Sequence, residues 1–231
     1  MNLSLAAIWR ERGWRARALL PVTALYGWVS ALQRGAYRWG WKTAHRIRVP
    51  VVVVGNVIAG GAGKTPVVIA LAQHLGRRGF HIGVISRGHG RQTTDARLVD
   101  ASCSARDVGD EPLLIWRRTG VPVAVALRRV DAATALLDAW PNTDVILSDD
   151  GLQHLGLARD IEVCVFDDRG IGNGWLLPAG PLREPWPRNV DLVLHTGAHP
   201  AFSGFRSRRV LGRDAVDSRG ATVPLTVLAK E

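Results

Sequence analysis

The sequence has 231 residues, 47% apolar and 22% charged, a composition that supports a packed core and excludes a wholly disordered chain. Its two cysteines, Cys103 and Cys164, exclude a disulfide framework, and no CxxC or HExxH pattern indicates a zinc site. The 30 basic and 20 acidic residues give a net charge of +10, which predicts an anionic partner: nucleic acid, phosphorylated substrate or membrane surface.

Most of this charge lies in the first 50 residues. They hold nine basic residues and one acidic residue, Glu11, for a net charge of +8, whereas the other 181 residues have a net charge of +2. The segment also contains five of the nine tryptophans and both tyrosines. Interleaved basic and aromatic side chains are typical of a segment that lies among lipid headgroups. We therefore predict a basic, aromatic, membrane-associating helical segment over residues 1–48, and an anionic lipid surface as partner.

The apolar run at residues 18–33 leaves several interpretations open. It is shorter than the roughly 20 apolar residues of a spanning helix, and Pro21 and Gly27 interrupt it. A signal peptide is opposed by Arg34, Arg38 and Lys42, which follow directly. A helix packed on the chain's own core is a third interpretation. We favour a helix at the membrane surface, and the sequence leaves open whether residues 18–33 span the bilayer.

From residue 50 onwards, short apolar runs alternate with helical patterns. This alternation predicts βαβ units, and hence a parallel sheet with helices on both faces. The predicted strands are Val51–Val54, His81–Ile85, Pro122–Ala126, Asp144–Leu147, Ile161–Phe166 and Leu192–His195. The predicted helices are Lys64–Arg78, Pro112–Arg118 and Val130–Trp140. Residues 49–197 are predicted to form the core, and residues 198–231, with a strand at Val223–Leu228, the start of a second lobe.

The segment GNVIAGGAGKT, residues 55–65, has the context of a phosphate-binding loop, since it follows a strand and opens a helix. Its nucleotide-binding residues are predicted to be Gly60, Gly61, Ala62, Gly63, Lys64 and Thr65. Backbone amides and the helix N-terminus bind phosphate oxygens, Lys64 reaches the β- and γ-phosphates, and the Thr65 hydroxyl binds Mg²⁺. The common GxxxxGK[ST] spacing has Gly where this chain has Ile58, so the glycines at 60 and 61 are expected to supply the turn.

Two groups of carboxylates are candidates for a phosphoryl-transfer site. Asp149 and Asp150 come after the run Val145–Ser148, at the edge where open α/β sheets bind ligands. They are predicted to have a Walker-B role, although Asp-Asp-Gly is also good turn chemistry. In Gly109-Asp110-Glu111-Pro112, taken alone, Asp110 is predicted to be a helix N-cap. Arg87, Arg129 and Arg183 are candidates for clamping phosphates, although each alone is more often a solvated surface arginine.

These motifs together resemble the tetraacyldisaccharide 4′-kinase (lipid A 4′-kinase) family. They occur in the family's order from about residue 20 to 197, and two of them, SDDGLQH and LLPAGPLREP, are highly specific. The matching segments are GNVIAGGAGKTP (55–66), SRGHG (86–90), VGDEP (108–112), the arginine of LRRV (Arg129), SDDGLQH (148–154) and GNGWLLPAGPLREP (172–185).

The resemblance implies an enzyme that transfers the γ-phosphoryl group of ATP to the 4′-hydroxyl of a lipid A disaccharide 1-phosphate precursor, at the cytoplasmic face of the inner membrane. It implies Lys64 and Asp110 as catalytic residues, with Asp110 accepting the hydroxyl proton, which reverses the capping interpretation of Asp110. The metal set is Thr65, Glu111, Asp149 and Asp150, and ATP and Mg²⁺ are the cofactors. The substrate-binding residues are Arg129, Arg183 and Glu184.

The chain departs from the family pattern in three places. Ala62 replaces a common Ser or Thr, and His89 replaces the Tyr of SRGYG. GIAxPxxFF-like and FPDHH-like segments, whose Asp and His support the catalytic base in this family, are not present. We therefore expect a C-terminally truncated chain that binds ATP and Mg²⁺ but is a poor kinase.

Two other classes of protein remain open. One is a P-loop kinase for a soluble substrate, and the other is a non-catalytic nucleotide-binding protein associated with the membrane. No nucleic-acid partner is predicted, because the core is nearly neutral and shows no DNA- or RNA-binding motif.

Overall fold

Strands and helices are interspersed from residue 51 to residue 149 in the computed structural model, and only strands follow in the described residues, which are 5–208, 214–216 and 222–225. The strands are β1 (Val51–Gly55), β2 (Ile82–Ser86), β3 (Arg97–Leu98), β4 (Val123–Val125), β5 (Val145–Asp149), β6 (Ile161–Phe166), β7 (Leu192–His195), β8 (Phe205–Arg206), β9 (Asp214–Val216) and β10 (Thr222–Pro224). The helices are α1 (Leu5–Ile8), α2 (Trp14–Ala18), α3 (Leu20–Arg38), α4 (Lys64–Arg77), α5 (Ala105–Val108), α6 (Asp110–Thr119) and α7 (Arg129–Ala139).

Eight of the strands form one sheet in the order β3-β4-β2-β5-β1-β6-β7-β8. Every neighbouring pair is parallel except β3 and β4. This confirms the predicted α/β fold with a mostly parallel sheet. The short strands β3 and β8 were not expected, and β9 pairs with β10 in a separate antiparallel ribbon. Of the strand predicted at Val223–Leu228, residues 226–228 lie outside the described residues.

The valines of β1 show how the sheet divides the core. Val51 and Val53 belong to one buried cluster, whereas Val54, with Val52 packed beside it, belongs to a cluster on the other face. This alternation is the period of two expected for a strand that is covered on both faces. Helix α7 contributes to the first cluster, and helices α4 and α6 contribute to the second.

The beginning of α6 corrects the capping interpretation of Asp110. The N-cap is Gly109, with φ of +94°, and Asp110 is the first helical residue. A side chain at position 109 would lie 3.0 Å from the Gly88 backbone, so the close approach of two loops requires glycine there. The capping box belongs instead to α5, where Ser104 and Asp107 bond reciprocally.

Helix α3 runs without a break through both residues that were expected to interrupt it. Pro21 lies in the first turn, where its missing amide proton costs no helical hydrogen bond. Gly27 lets the helix approach the segment at Leu176, whose Cδ1 would be 3.1 Å from a Cβ at position 27. Among the residues that the structure describes, no helix combines the length and hydropathy needed to cross a bilayer.

Candidate active site

The phosphate loop joins β1 to α4 at the carboxyl edge of the sheet. Gly60 and Gly63 have φ of +91° and +77°, a conformation that side chains rarely adopt. The expectation for the turn is therefore confirmed for Gly60, whereas Gly61 has no positive φ. Ile58 is buried and its backbone bridges to Leu182, which explains why glycine is not needed at this position.

Lys64, the first residue of α4, is buried, with 7% of its surface exposed. Its Nζ lies 3.2 Å from Asn56 Oδ1 and 3.5 Å from Asp150 Oδ1. Asn56 is fully buried, and its Nδ2 donates to the carbonyl of Gly60 at 3.2 Å. A buried ammonium group needs such partners, because an unpaired charge in a low-dielectric site is costly. Thr65, the next residue, is also buried.

Asp149, the last residue of β5, is fully buried and incompletely bonded. Its Oδ2 is 3.4 Å from Ser86 Oγ, and its Oδ1 has no hydrogen-bond partner among the described residues. Burial, with the nearby carboxylates of Glu111 and Asp150, raises the pKa of Asp149 to about 7, against the lowering effect of Arg129 and Lys64. Clustered carboxylates of this kind are stabilised by a cation.

Asp150 differs from its neighbour in being fully paired. Arg183 Nη1 donates to both carboxylate oxygens, at 3.0 and 3.1 Å. Burial by itself raises the pKa of Asp150, but Lys64 and Arg183 outweigh it and hold this pKa below its usual value. Among the residues described, Asp150 is the only non-glycine residue with positive φ, at 48°. Strained backbone of this kind is found most often at functional sites.

Arg129, at the start of α7, is 3% exposed. Its Nη2 donates to the carbonyls of Asp149 and Asp150, at 2.9 and 3.2 Å. Its Nε and Nη1 are buried without a partner among the described residues. Burial lowers the pKa of Arg129 to about 10, with opposing effects of the two aspartates. The guanidinium group remains charged at neutral pH, with two donating nitrogens to spare.

Glu184 is buried and bonded on both sides. Gln153 Nε2 donates to its Oε1 at 2.7 Å, and Arg188 Nη1 lies 3.4 Å from its Oε2. Gln153 in turn accepts a bond from Arg183 at 3.3 Å and donates to the carbonyl of Asn56 at 3.0 Å. The carboxylate of Glu184 therefore holds Gln153 and Arg188 in place.

Asp110 and Glu111 lie in the first turn of α6, and both are exposed. Glu111 is close enough to Asp149 to raise its pKa. For Asp110, no hydrogen bond or ion pair to the other predicted site residues is present in the described parts of the chain. The structure thus brings together Lys64, Thr65, Asp149, Asp150, Arg129 and Arg183, with Glu111 beside them and Asp110 at the rim.

Three site residues, Asn56, Gln153 and His154, had no predicted role, although they lie within motifs that the sequence analysis quoted. Their signal was a polar residue within four positions of a glycine or aspartate that was singled out. His154 is the most perturbed of them: burial, with Arg129 and Arg87 nearby, lowers its pKa to about 4. It therefore stays neutral at physiological pH.

Two adjoining clefts open between α3 and the loop that follows β5. One, of about 150 Å³, is lined by Tyr26, Arg34 and Arg183, and the other, of about 250 Å³, by Tyr37, Arg128 and Arg129. Gln33, Gln153 and Leu155 line both. The clefts thus form one groove with arginines along it, and Gln153 joins this groove to the start of the phosphate loop through its bond to the carbonyl of Asn56.

Residues 172–183 connect α3 to the phosphate loop. On one side, Tyr26 donates its hydroxyl proton to the carbonyl of Arg183 at 2.7 Å, and Thr23 Oγ1 accepts a bond from the amide of Ala179 at 3.0 Å. On the other side, the amide of Ala59 donates to the carbonyl of Pro181 at 2.7 Å, and that of Arg183 donates to the carbonyl of Val57 at 2.7 Å. We call this stretch the bridging segment.

The described residues contain no group of three or more His, Cys, Asp or Glu side chains arranged to hold a metal ion by themselves. A magnesium site can also use the hydroxyl oxygen of Thr65 and phosphate oxygens of a nucleotide. In nucleotide-dependent phosphotransferases the phosphates supply part of the coordination of Mg²⁺, so few protein carboxylates are needed.

A parallel sheet, a glycine-rich loop that opens a helix with a buried Lys-Thr pair, and an adjacent buried aspartate define a P-loop phosphotransferase. The family model for tetraacyldisaccharide-1-P 4′-kinase matches residues 15–222. The chain belongs to this family.

The relatives support the same assignment. The tetraacyldisaccharide 4′-kinase of Acidovorax sp. (strain JS42) is 57% identical over 229 residues, which are 98% of this chain and 68% of that protein. The one of Polaromonas naphthalenivorans (strain CJ2) is 54% identical over 235 residues, covering 100% of this chain and 68% of the relative. The crystal structure of LpxK from Aquifex aeolicus in complex with ATP has a TM-score of 0.81 at 28% identity, and covers 94% of this chain and 71% of that one.

Proposed function

We propose that the chain transfers the γ-phosphoryl group of ATP to the 4′-hydroxyl of the tetraacyldisaccharide 1-phosphate precursor of lipid A. The relatives carry the name of this activity, and the solved neighbour was crystallised with ATP. The observation that carries the proposal is that the buried Lys64 and Asp149 are linked to two arginines of the groove. Lys64 shares Asp150 with Arg183, and Arg129 donates to the carbonyl of Asp149. A phosphate donor and a bulky anionic acceptor can thus meet at one edge of the sheet.

In this proposal the phosphate loop binds the nucleotide. The backbone amides of residues 60–65 and the N-terminus of α4 bind phosphate oxygens. Lys64 contacts the β- and γ-phosphates from its position next to Asn56 and Asp150. Because these donors are in place before ATP arrives, charge that develops on the transferred group is stabilised without reorganisation of the site.

The residues present fit a magnesium site. Thr65, Asp149 and Glu111 would hold the ion, since Asp149 Oδ1 has no partner among the described residues and Glu111 faces the same carboxylate. Asp150 was predicted as a fourth ligand, but its pairing with Arg183 and Lys64 suits it better to orienting these two cations. When bound, Mg²⁺ neutralises charge on the β- and γ-phosphates.

Asp110 is proposed to orient the 4′-hydroxyl and accept its proton. It lies exposed in the first turn of α6, next to Glu111 and within reach of solvent and substrate. A general base must be hydrogen-bonded to the proton that it removes, so the acceptor sugar has to lie against this turn.

The acceptor is proposed to bind in the groove beneath α3. Arg34, Arg128, Arg129 and Arg183 line it and suit a phosphorylated sugar, because guanidinium groups bind phosphate oxygens in pairs. Glu184 supports the groove from behind, through its bond to Gln153. The acyl chains would leave the groove towards α3.

The apolar face of α3, formed by Leu20, Val22, Leu25, Trp28, Val29 and Leu32, is proposed to lie on the cytoplasmic leaflet of the inner membrane. Leu25 is 61% and Trp28 66% exposed, and Trp14, Trp39 and Trp41 are exposed beside them. An exposed apolar face next to basic and aromatic residues suits an anionic lipid surface. Residues 1–48 are thus proposed as a membrane-associating part and residues 49–197 as the kinase core. Strand β8, at 205–206, extends the same sheet.

The test is phosphate transfer from ³²P-labelled ATP to purified tetraacyldisaccharide 1-phosphate in mixed micelles. We expect slow formation, as for a poor kinase, of a labelled lipid that loses its label to a 4′-phosphatase. Asp110→Asn should lower kcat by roughly two to four decades, the usual contribution of a general base, while Asp138→Asn on the surface of α7 serves as control. Transfer only to soluble sugars would contradict the lipid substrate, and ATP binding without any transfer would contradict the enzymatic role.

A further inference from the structure

Side chains from two neighbouring loops bind the carbonyl oxygens of the phosphate loop from outside. Arg169, after β6, donates from Nη2 to the carbonyl of Gly61 at 2.7 Å and from Nη1 to that of Ala59 at 3.4 Å. Thr196, after β7, donates from Oγ1 to the carbonyl of Ala62 at 3.0 Å. The sequence analysis gave no role to either residue.

Arg169 is itself fixed in place. Its Nε lies 3.1 and 2.9 Å from the two carboxylate oxygens of Asp167, and its Nη2 lies 2.8 Å from Oδ2. The backbone amide of Arg169 also donates to Asp167 Oδ1 at 3.0 Å. This two-point pairing orients the guanidinium plane, so that the remaining donors point at the loop.

These contacts favour the conformation that an anion requires. A loop that binds phosphate must turn its amides inward and its carbonyl dipoles outward, because inward carbonyls would repel phosphate oxygens. The glycines at 60, 61 and 63 make the free loop flexible, which raises the entropic cost of ordering it. Donors that hold the carbonyls of 59, 61 and 62 outward lower this cost before the nucleotide binds.

We propose that Arg169, oriented by Asp167, is a positioning residue for the phosphate loop and sets the affinity for the nucleotide through the carbonyls of Ala59 and Gly61. The proposal rests on the proposed function, since it presumes that the loop binds ATP. Thr196 has the same role for Ala62. None of the three side chains needs to contact the nucleotide.

The experiment measures Kd for ATP by calorimetry, and KM and kcat in the lipid kinase assay, for Arg169→Gln, Arg169→Lys and Asp167→Asn. Arg169→Gln should raise Kd and KM for ATP about tenfold, the loss expected for one bond from a charged donor, with little change in kcat. Arg169→Lys should retain only part of the affinity for ATP, because an ammonium group cannot bond at once to Asp167 and to both carbonyls as a guanidinium group does. Arg117→Gln on the exposed surface of α6 is the matched control.

Adenosine distinguishes positioning of the loop from a general loss of structure. Its binding should be unchanged in Arg169→Gln, because adenosine has no phosphates, whereas a folding defect would weaken adenosine and ATP alike. If Arg169→Gln lowers the thermal stability, Thr196→Val gives the same test from the other loop.

Unchanged Kd for ATP in both Arg169→Gln and Thr196→Val would overturn the proposal, as would full rescue by lysine, which would indicate a direct phosphate contact. Failure of the unmodified chain to bind ATP would instead overturn the proposed function, so the two failures are distinguishable.

Discussion

The carboxyl edge of the sheet and the apolar face of α3 both depart from the usual rule that charged side chains are exposed and apolar ones are buried, and they do so in opposite ways. At the edge, Lys64, Arg129 and Asp149 are charged groups that are at least 93% buried. On α3, Leu25 and Trp28 are apolar side chains that are more than half exposed. Buried charge indicates a site for ions and phosphates, and exposed apolar surface indicates one for lipid. The contrast teaches that the two proposed binding sites of this chain rest on opposite departures from ordinary burial.

The largest effect is expected for Lys64→Met, which tests whether the buried charge at the carboxyl edge of the sheet serves phosphoryl transfer. The ammonium group is expected to contact the transferred phosphate, so kcat/KM should fall on the order of 10²–10³-fold, the usual effect of removing one preorganised donor. The lipid kinase assay measures this effect, and Arg78→Met at the exposed end of the same helix is the control. A loss of less than threefold would show that the burial of Lys64 is structural only.

The second test uses pH. His154 has its pKa lowered from 6.5 to about 4, so between these values the unfolded chain binds the proton and the folded chain does not. The free energy of unfolding should therefore fall as pH drops from 6.5 towards 4, by up to about 3 kcal/mol. Urea unfolding of the unmodified chain and of His154→Gln between pH 7 and pH 4 measures the difference.

The contribution of His154 is present above pH 6.5 and is lost on acidification, so His154→Gln should show a flatter profile over this range. His81→Gln is the control, since His81 is exposed. Parallel profiles for the unmodified chain and His154→Gln would contradict the burial of a neutral imidazole.

The third test concerns the apolar face of α3. Leu25→Gln and Trp28→Gln should each weaken binding to vesicles that contain phosphatidylglycerol on the order of tenfold, because each removes an apolar side chain from the lipid contact. Co-sedimentation measures the effect. Leu114→Gln on α6 is the control, since Leu114 is also an exposed apolar residue on a helix, at 44% exposure. Equal losses of vesicle binding in all three variants would contradict the proposal that the apolar face of α3 contacts the lipid.

The smallest expected effect joins the two regions. Tyr26→Phe removes the bond from α3 to the carbonyl of Arg183, and should lower the free energy of unfolding by about 1 kcal/mol, the typical net value of one hydrogen bond. Urea unfolding measures this change. An increase in KM for the lipid without any loss of stability would show that the bond serves the groove rather than the fold.

The sequence predicted what depends on local pattern. The valine run of β1, the loop that opens α4 and the aspartates at the end of β5 are signals within a few neighbouring residues, and each is found in the fold close to where it was expected. Strands β3 and β8 have two residues each, too few for a periodic signal. The pairing of Asp150 with Arg183 depends on residues 33 apart in sequence, and the N-cap at Gly109 depends on contact with Gly88.

The bridging segment has a consequence for the order in which the molecule is made. Tyr26 and its partner Arg183 are 157 residues apart, and Trp9 and its partner Pro178 are 169 apart. At 5–20 residues per second, α3 leaves the ribosome roughly 8–30 s before the segment that it packs against. During that interval α3 can pack only on residues near it in sequence, such as those of α2, so the side that later packs on the bridging segment has no partner there yet. Synthesis close to a bilayer would therefore let the proposed lipid contact form before the kinase core closes.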